Sequence, residues 1–274
     1  MKVLIACDME GITGVVNRDQ VTTTHAEYQR CRRLMAQDAN AAVEGALAAG
    51  AAEVIVSDGH AHGHNILIED LHPGARLHSG LNAEFAMVEG VQERPDAAIF
   101  IGYHARAGTL NAILDHTWNS YCLADVRLND RSIGETGLNA AVCGHFGVPV
   151  VMVSGDQALA AESREWLPGT VCAVVKTGTG RGSGVCLPPA ESQALIRETS
   201  RQAVADFRAG KGPQPFVMPG PLKLTLTFKS CEFADKAEVM PGAIRLDGTR
   251  LAYEGSDILA VYRALRALAS LASK

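Results

Sequence analysis

The sequence has no excess of basic residues. Its 25 Lys and Arg stand against 30 Asp and Glu, a formal net charge of −5. A nucleic-acid partner calls for a basic face, so none is expected. It also has no uninterrupted apolar run of about 20 residues, so no membrane-spanning helix is expected. Nor is a secretory leader expected, since that needs about 7–15 apolar residues and the run Val3–Cys7 meets Asp8 and Glu10 at once. There is no C-x-x-C pair. The cysteines at 7, 31, 122, 143, 172, 186 and 231 are odd in number and widely spaced. Such a set reads as reduced thiols of a cytoplasmic protein, not as a disulfide framework. No internal repeat is visible. With 47% hydrophobic and 20% charged residues, the chain lacks the signature of disorder.

What is present is an alternation of short apolar runs and amphipathic stretches. Lys2–Cys7, Glu53–Ser57, Ala97–Gly102, Val148–Val153 and Thr170–Lys176 read as buried strands. Thr24–Gly50 and Gly134–Phe146 read as helices, Ile66–Leu71 and Glu84–Val91 as short ones, and Tyr121–Ile133 as a hairpin turning at Asn129–Arg131. Strand, helix, strand with short connections predicts an α/β fold, a mainly parallel sheet flanked by helices. Beyond the Gly-rich stretch 178–184 the character changes. Pro188–Ala209 is a long amphipathic helix, and prolines 213, 215, 219 and 221 mark a linker. Leu222–Phe228 alternates like a half-exposed strand, Ala243–Tyr253 is a hairpin on an Asp-Gly turn, and Gly255–Ala272 is a closing helix. These features predict a large catalytic α/β domain over 1–186 and a smaller α+β domain over 187–274.

In an open α/β sheet, ligands bind beyond the carboxyl ends of the strands. The residues that follow the expected strands are Asp8 and Glu10, then Ser57, Asp58 and His60, then Tyr103 and His104; Asp115 and His116 lie downstream, and Glu135 follows the hairpin. No single pair is informative, and each has a bland alternative. Asp8 and Glu10 suit a solvated loop or a turn cap, His104 a hydrogen-bonded loop, and Glu135 the first turn of a helix. The signal is convergence of Asp, Glu and His from separate segments on one edge. Carboxylates and imidazoles suit Zn²⁺ and related ions. Asp8, Glu10, His60, His104 and Glu135 would serve two ions, with Asp8 bridging and an open position at each. His62 and His64 are expected outside the ligand set, and His25, His72, His78 and His145 are read as structural. The stretch 178–184 matches no phosphate-binding pattern.

The strings CDMEGITGV (7–15), VSDGHAHGHN (56–65), GYHARAGT (102–109), DHTW (115–118) and NDRSIGETGLNA (129–140) resemble the DppA-type D-aminopeptidases, a family of cytosolic zinc metallopeptidases. The resemblance extends through VPVVMVSGD (148–156), the Lys176–Arg181 stretch and MPGA (240–243). It implies two Zn²⁺ per subunit, with Asp8 bridging. It implies Glu10 and His104 as the further ligands of one ion, His60 and Glu135 as those of the other, and His116 as the catalytic histidine. It also implies short peptides as substrates, D-residues such as D-Ala preferred at the N-terminus, and a ring-like decamer enclosing the sites. The same ligands would serve a non-peptide amidase or a phosphoesterase. A non-catalytic ring-forming metal-binding protein is disfavoured by His116 standing beside a complete ligand set.

Overall fold

A computed structural model describes residues 1–80 and 82–273. In chain order the elements are β1 (Lys2–Cys7), α1 (Tyr28–Ala48), β2 (Glu53–Asp58), β3 (Arg76–His78), β4 (Ala97–Ile101), β5 (Leu123–Leu128), β6 (Arg131–Ser132) and α2 (Glu135–His145). They continue with β7 (Val150–Asp156), α3 (Gln157–Trp166), β8 (Val171–Gly180), β9 (Ser183–Cys186), α4 (Pro189–Arg208), β10 (Leu222–Phe228), α5 (Cys231–Ala237), β11 (Ile244–Arg245), β12 (Arg250–Gly255) and α6 (Ile258–Ala272). Seven strands form one sheet in the order β3-β2-β1-β4-β7-β8-β9, parallel except where β9 returns along β8. Five form a second sheet, β11-β12-β10-β5-β6, antiparallel throughout.

The strand sequences explain the layers. β1 is apolar at almost every position because both its faces are covered. Val3, Ile5 and Cys7 share a core with Met35, Ala39, Ala42 and Ala46 of α1 and with Ile196 and Val204 of α4. Leu4 and Ala6 point the other way, into a core with Phe100, Leu138 and Val142, then Leu224 and Leu226 of the second sheet, then Leu265 and Leu268 of α6. Each fully buried aliphatic side chain of this kind contributes about 1.5–3 kcal/mol.

The chain leaves β1 for β2 and β3 on one side, then returns to β4 on the other. The end of β1 is therefore the switch point of the sheet, where the loops part and leave a crevice.

Several expected elements take another form. The stretch 66–71 yields only a 3₁₀ turn at Ile68–Asp70. Its backbone groups are taken by side chains: Asp58 accepts from Ile66 N (2.7 Å), and the Asn40 amide donates to Asp70 O (2.8 Å). The stretch 84–91 yields a 3₁₀ turn at Ala86–Val88, broken by positive φ at Ala86 (46°) and Gly90 (97°). The glycine-rich stretch 178–184 forms the tip of the β8–β9 hairpin. β5 and β6 pair in one sheet with β10 and β12, and α4 packs on the first sheet with α1.

Candidate metal centre

Asp8 and Glu10 follow β1, His60 follows β2 and His104 follows β4; Glu135 opens α2, and His116 lies on the long connection from β4 to β5. The loops after β1 and β4 touch. Gly102 has φ +72°, and a Cβ there would sit 2.3 Å from the Asp8 carbonyl, so only glycine lets the two strand ends meet.

Each loop is fastened from behind by a buried carboxylate that accepts backbone N–H groups. Asp38 of α1 takes Thr13 N (2.9 Å) and Thr13 Oγ1 (3.0 Å), and burial pushes its carboxyl up to about 6. Asp58 takes Asn65 N (2.6 Å), Asn65 Nδ2 (2.7 Å) and Ile66 N, closing the His60 loop. Asp156 caps α3 through Leu159 N (2.9 Å) and takes Ile113 N (2.8 Å). Glu162 takes Arg106 N (2.7 Å) and Gly134 N (3.1 Å), tying the His104 loop to the start of α2.

Lys176, which the sequence shows only as a lysine closing an apolar strand, is buried in β8. Its ammonium donates to three carbonyls of the β1 loop: Glu10 O (2.6 Å), Ile12 O (2.9 Å) and Val15 O (2.5 Å). Burial lowers its pKa to about 8. The resemblance touched Lys176 only as part of a stretch; nothing in spacing marked it as the pin of the Glu10 loop.

The six residues singled out in the sequence come together. His60 Nδ1 lies 3.0 Å from Glu10 Oε2 and 3.3 Å from Asp8 Oδ1. His104 Nε2 lies 3.4 Å from Asp8 Oδ2 and 3.5 Å from Glu135 Oε1. His116 Nε2 lies 3.6 Å from the same Glu135 oxygen, its ring stacked on that of His104 with centroids 4.0 Å apart.

Two groups result, Asp8–Glu10–His60 and His104–His116–Glu135, and Asp8 reaches into the second through Oδ2. Glu10 thus lies against His60, whereas the resemblance implies that it shares an ion with His104. The reason is topological: β2 and β4 flank β1 on opposite sides, so their histidines approach Asp8 from opposite sides. His62 and His64 are exposed and outside both groups.

Each histidine has one nitrogen committed to a backbone carbonyl, which can only accept. His60 Nε2 donates to Val21 O (2.9 Å), His104 Nδ1 to Ala105 O (3.0 Å) and His116 Nδ1 to Leu114 O (2.8 Å). The other nitrogen of each then faces the carboxylates, where a cation can take the place of a proton, the arrangement that second-layer hydrogen bonds impose on metal-binding imidazoles. Burial opposes charge throughout. Nevertheless Glu10 and Asp8 hold His60 well above its ordinary pKa, and Glu135 and Asp8 do the same for His104. Against the same burial, His104 and His60 hold Asp8 well below the carboxylate range, and His104 chiefly lowers Glu135. The cluster favours positive charge at its centre. Buried Asp8 Oδ2 and His104 Nε2 face one another with no hydrogen-bond partner, an arrangement that costs free energy unless a cation lies between them. Oxygen and imidazole donors in this number fit Zn²⁺.

His116 differs from His104 in access. Its side chain is 16% exposed against 1%. It lines the cavity of about 270 Å³ over the cluster, together with Asp8, Glu10, His60, Met87, Trp118 and Glu135. Trp118 N donates to Glu135 Oε1 (2.7 Å) and fixes that carboxylate.

The fold and this cluster define a mixed α/β protein with a hydrolase-type metal centre at the switch point of its sheet. The family model for D-aminopeptidase matches residues 1–267. A D-aminopeptidase of Bacillus subtilis (strain 168) is 35% identical over 275 residues, covering 100% of this chain and 98% of the relative. The solved structure of the Zn-dependent D-aminopeptidase DppA from Bacillus subtilis, a self-compartmentalizing protease, matches with a TM-score of 0.95 and 35% identity, over 100% of this chain and 98% of that one. The chain belongs to the D-aminopeptidase family, and so to the peptidases.

Proposed function

We propose that the protein is a zinc-dependent aminopeptidase that releases N-terminal residues, D-Ala among them, from short peptides. Asp8 would be shared by two zinc ions, with Glu10 and His60 to hold one and His104 and Glu135 to hold the other. The observation that carries this reading is the splay of Asp8, with Oδ1 toward His60 and Oδ2 toward His104. Zinc bound there supplies Lewis acidity and a water acidic enough to attack at neutral pH.

The chain's own residues do the rest. His116 keeps Nδ1–H on Leu114 O, so Nε2 is the atom that takes a proton and returns it to the leaving amine. Its stacking on His104 and the Leu114 contact fix the ring, so proton transfer needs no rearrangement. The carboxylates at the inner end of the cavity offer acceptors to a free α-ammonium, which an acylated peptide lacks. Chirality follows if amine and carbonyl are both pinned, because the side chain of one enantiomer then meets the wall.

The relative's self-compartmentalizing character supports a ring-like homo-oligomer of about ten copies, as the resemblance implies, with the sites facing an enclosed space. A cytoplasmic location accords with seven cysteines that are all unpaired. The test compares D-Ala-D-Ala, L-Ala-L-Ala and N-acetyl-D-Ala-D-Ala on zinc-loaded protein, scoring released amino acid. Only the first should be cleaved efficiently. Equal cleavage of the L-peptide removes the stereochemical claim, and efficient cleavage of the acetylated peptide removes the aminopeptidase claim.

A further inference from the structure

The glycine-rich stretch 178–184 has no part in the reaction just described, yet it brings a charged side chain to the site. It is the tip of the β8–β9 hairpin, braced across by Thr179 Oγ1 and Ser183 Oγ at 2.8 Å. The hairpin lies flat on the segment that leads to His116. A Cβ at Gly178 would meet the Asn111 carbonyl at 2.2 Å, and Leu114 N donates to Arg181 O (2.9 Å). Arg181 is thereby set on the wall of a second cavity, about 250 Å³, that is also lined by Glu10, His60 and His116. Arg18, Thr22 and Ser120 line the same cavity.

Among the described residues, Arg181 is held by one edge only. Its Nε lies 3.0 Å from Asp115 Oδ1, and its Nη2 donates to Asp115 O (3.2 Å). Asp115 is itself fastened, accepting from Gly108 N at 2.6 Å. A guanidinium has five N–H donors in a rigid fork. The edge formed by Nη1 and the remaining Nη2 hydrogen is left over, and the side chain is 55% exposed. No hydrogen bond or ion pair holds the Arg18 guanidinium among the described residues. One cavity therefore has three acidic or imidazole site residues and two arginines on its wall, one of the arginines pre-aimed by the Asp115 carboxylate.

We propose that Arg181, together with Arg18, binds the C-terminal α-carboxylate of the substrate, so that the enzyme is built for peptides of about two or three residues. The proposal rests on the aminopeptidase reading and deepens it. A short peptide is a zwitterion, and this cavity has the matching polarity. Arg181 grips residue 115, next to His116. Arg181 and His116 line the same small cavity, so one peptide short enough to fit it would meet both. The cavity is smaller than the roughly 300–1,000 Å³ that drug-sized ligands fill, which suits a dipeptide. Preorganisation by Asp115 lowers the ordering cost of binding.

The test is calorimetric titration of D-Ala-D-Ala and of its C-terminal amide into zinc-loaded His116→Ala protein, with steady-state kinetics on protein that retains His116. The amide should bind about tenfold more weakly than the acid. Arg181→Gln and, separately, Arg18→Gln should each weaken the acid by about that factor and leave the amide unchanged, so the preference shrinks. In kinetics the loss should fall on KM, not kcat. Equal affinity for acid and amide overturns the proposal, as do variants that weaken both alike. Protein that hydrolyses neither peptide would instead remove the aminopeptidase reading, while the acid-to-amide ratio in binding still decides the carboxylate site.

Discussion

Asp8→Asn is the substitution that separates a bridged pair of ions from two independent ones. Asp8 is buried, with Oδ1 accepting from Met9 N (2.8 Å) and Oδ2 orphaned opposite His104 Nε2. An asparagine keeps the shape. Its amide oxygen stays on Met9 N, and its NH₂ falls where it can donate to His104 Nε2, so the metal-free variant should fold as the parent does. What it lacks is a second anionic oxygen. An ion held at 100 times its Kd adds about 2.7 kcal/mol to stability, and two add about 5. At roughly 2–4 °C per kcal/mol for a chain near this size, zinc should raise the parent Tm by about 10–20 °C. It should raise the Asp8→Asn Tm by almost nothing, and that of Glu10→Gln or Glu135→Gln by about half as much as the parent. Elemental analysis after dialysis should give about two, near zero and about one zinc per chain, respectively. The reasoning is refuted if Asp8→Asn keeps both ions, or if Glu10→Gln loses both.

His116→Ala should lower kcat by about 10²–10⁴-fold with zinc content and Tm unchanged; loss of zinc would make His116 a ligand and not the proton carrier. Asp58→Ala leaves Asn65 N and Ile66 N buried without their acceptor, so it should cost about 2–4 kcal/mol in denaturant unfolding and loosen the His60 side of the centre; a cost below about 0.5 kcal/mol would show that the clasp is dispensable. In zinc-free protein, His60 and His104 titrate well above the 6.5 of a free imidazole. Their stabilising contribution is full below about pH 6.5 and is lost as pH rises toward the raised folded values. The stripped protein should therefore lose Tm as pH rises from about 6.5, ahead of the midpoint of Lys176 at about 8. A flat or rising Tm in that window contradicts the assignment.

The strands and the five acidic and imidazole positions were legible because both leave one-dimensional traces. β1, β2, β4 and β7 are apolar runs, and Asp8, Glu10, His60 and His104 sit one to three positions past the first three, while Glu135 opens the helix after the hairpin. The hairpin turn was legible too, since Asn129 and Asp130 both carry positive φ and are residue types that tolerate it.

What stayed hidden depends on neighbours that sequence order does not reveal. Which histidine shares Asp8 with Glu10 depends on β2 and β4 lying on opposite sides of β1, and strand order has no local signal. Lys176 contacts carbonyls more than 160 residues away along the chain. The placement of β5 and β6 beside β10 is equally non-local, since Leu224 pairs with Leu128. We propose that the two sheets, not the residues before and after 186, are the structural units of this chain.

The clasps behind the site loops have a consequence for how such a protein can change over generations. Asp38, Asp58, Asp156 and Glu162 hold their loops by main-chain N–H groups, which every residue except proline possesses. The grip is indifferent to the side chains those loops turn toward the cavity. Thr22, Thr23, Asn119 and Ser120 line the cavities and take no part in any clasp. They can be exchanged without loosening the scaffold that aims Asp8, His60 and His104. Lineages that inherit this frame are free to drift in what they digest while the catalytic geometry is passed on intact.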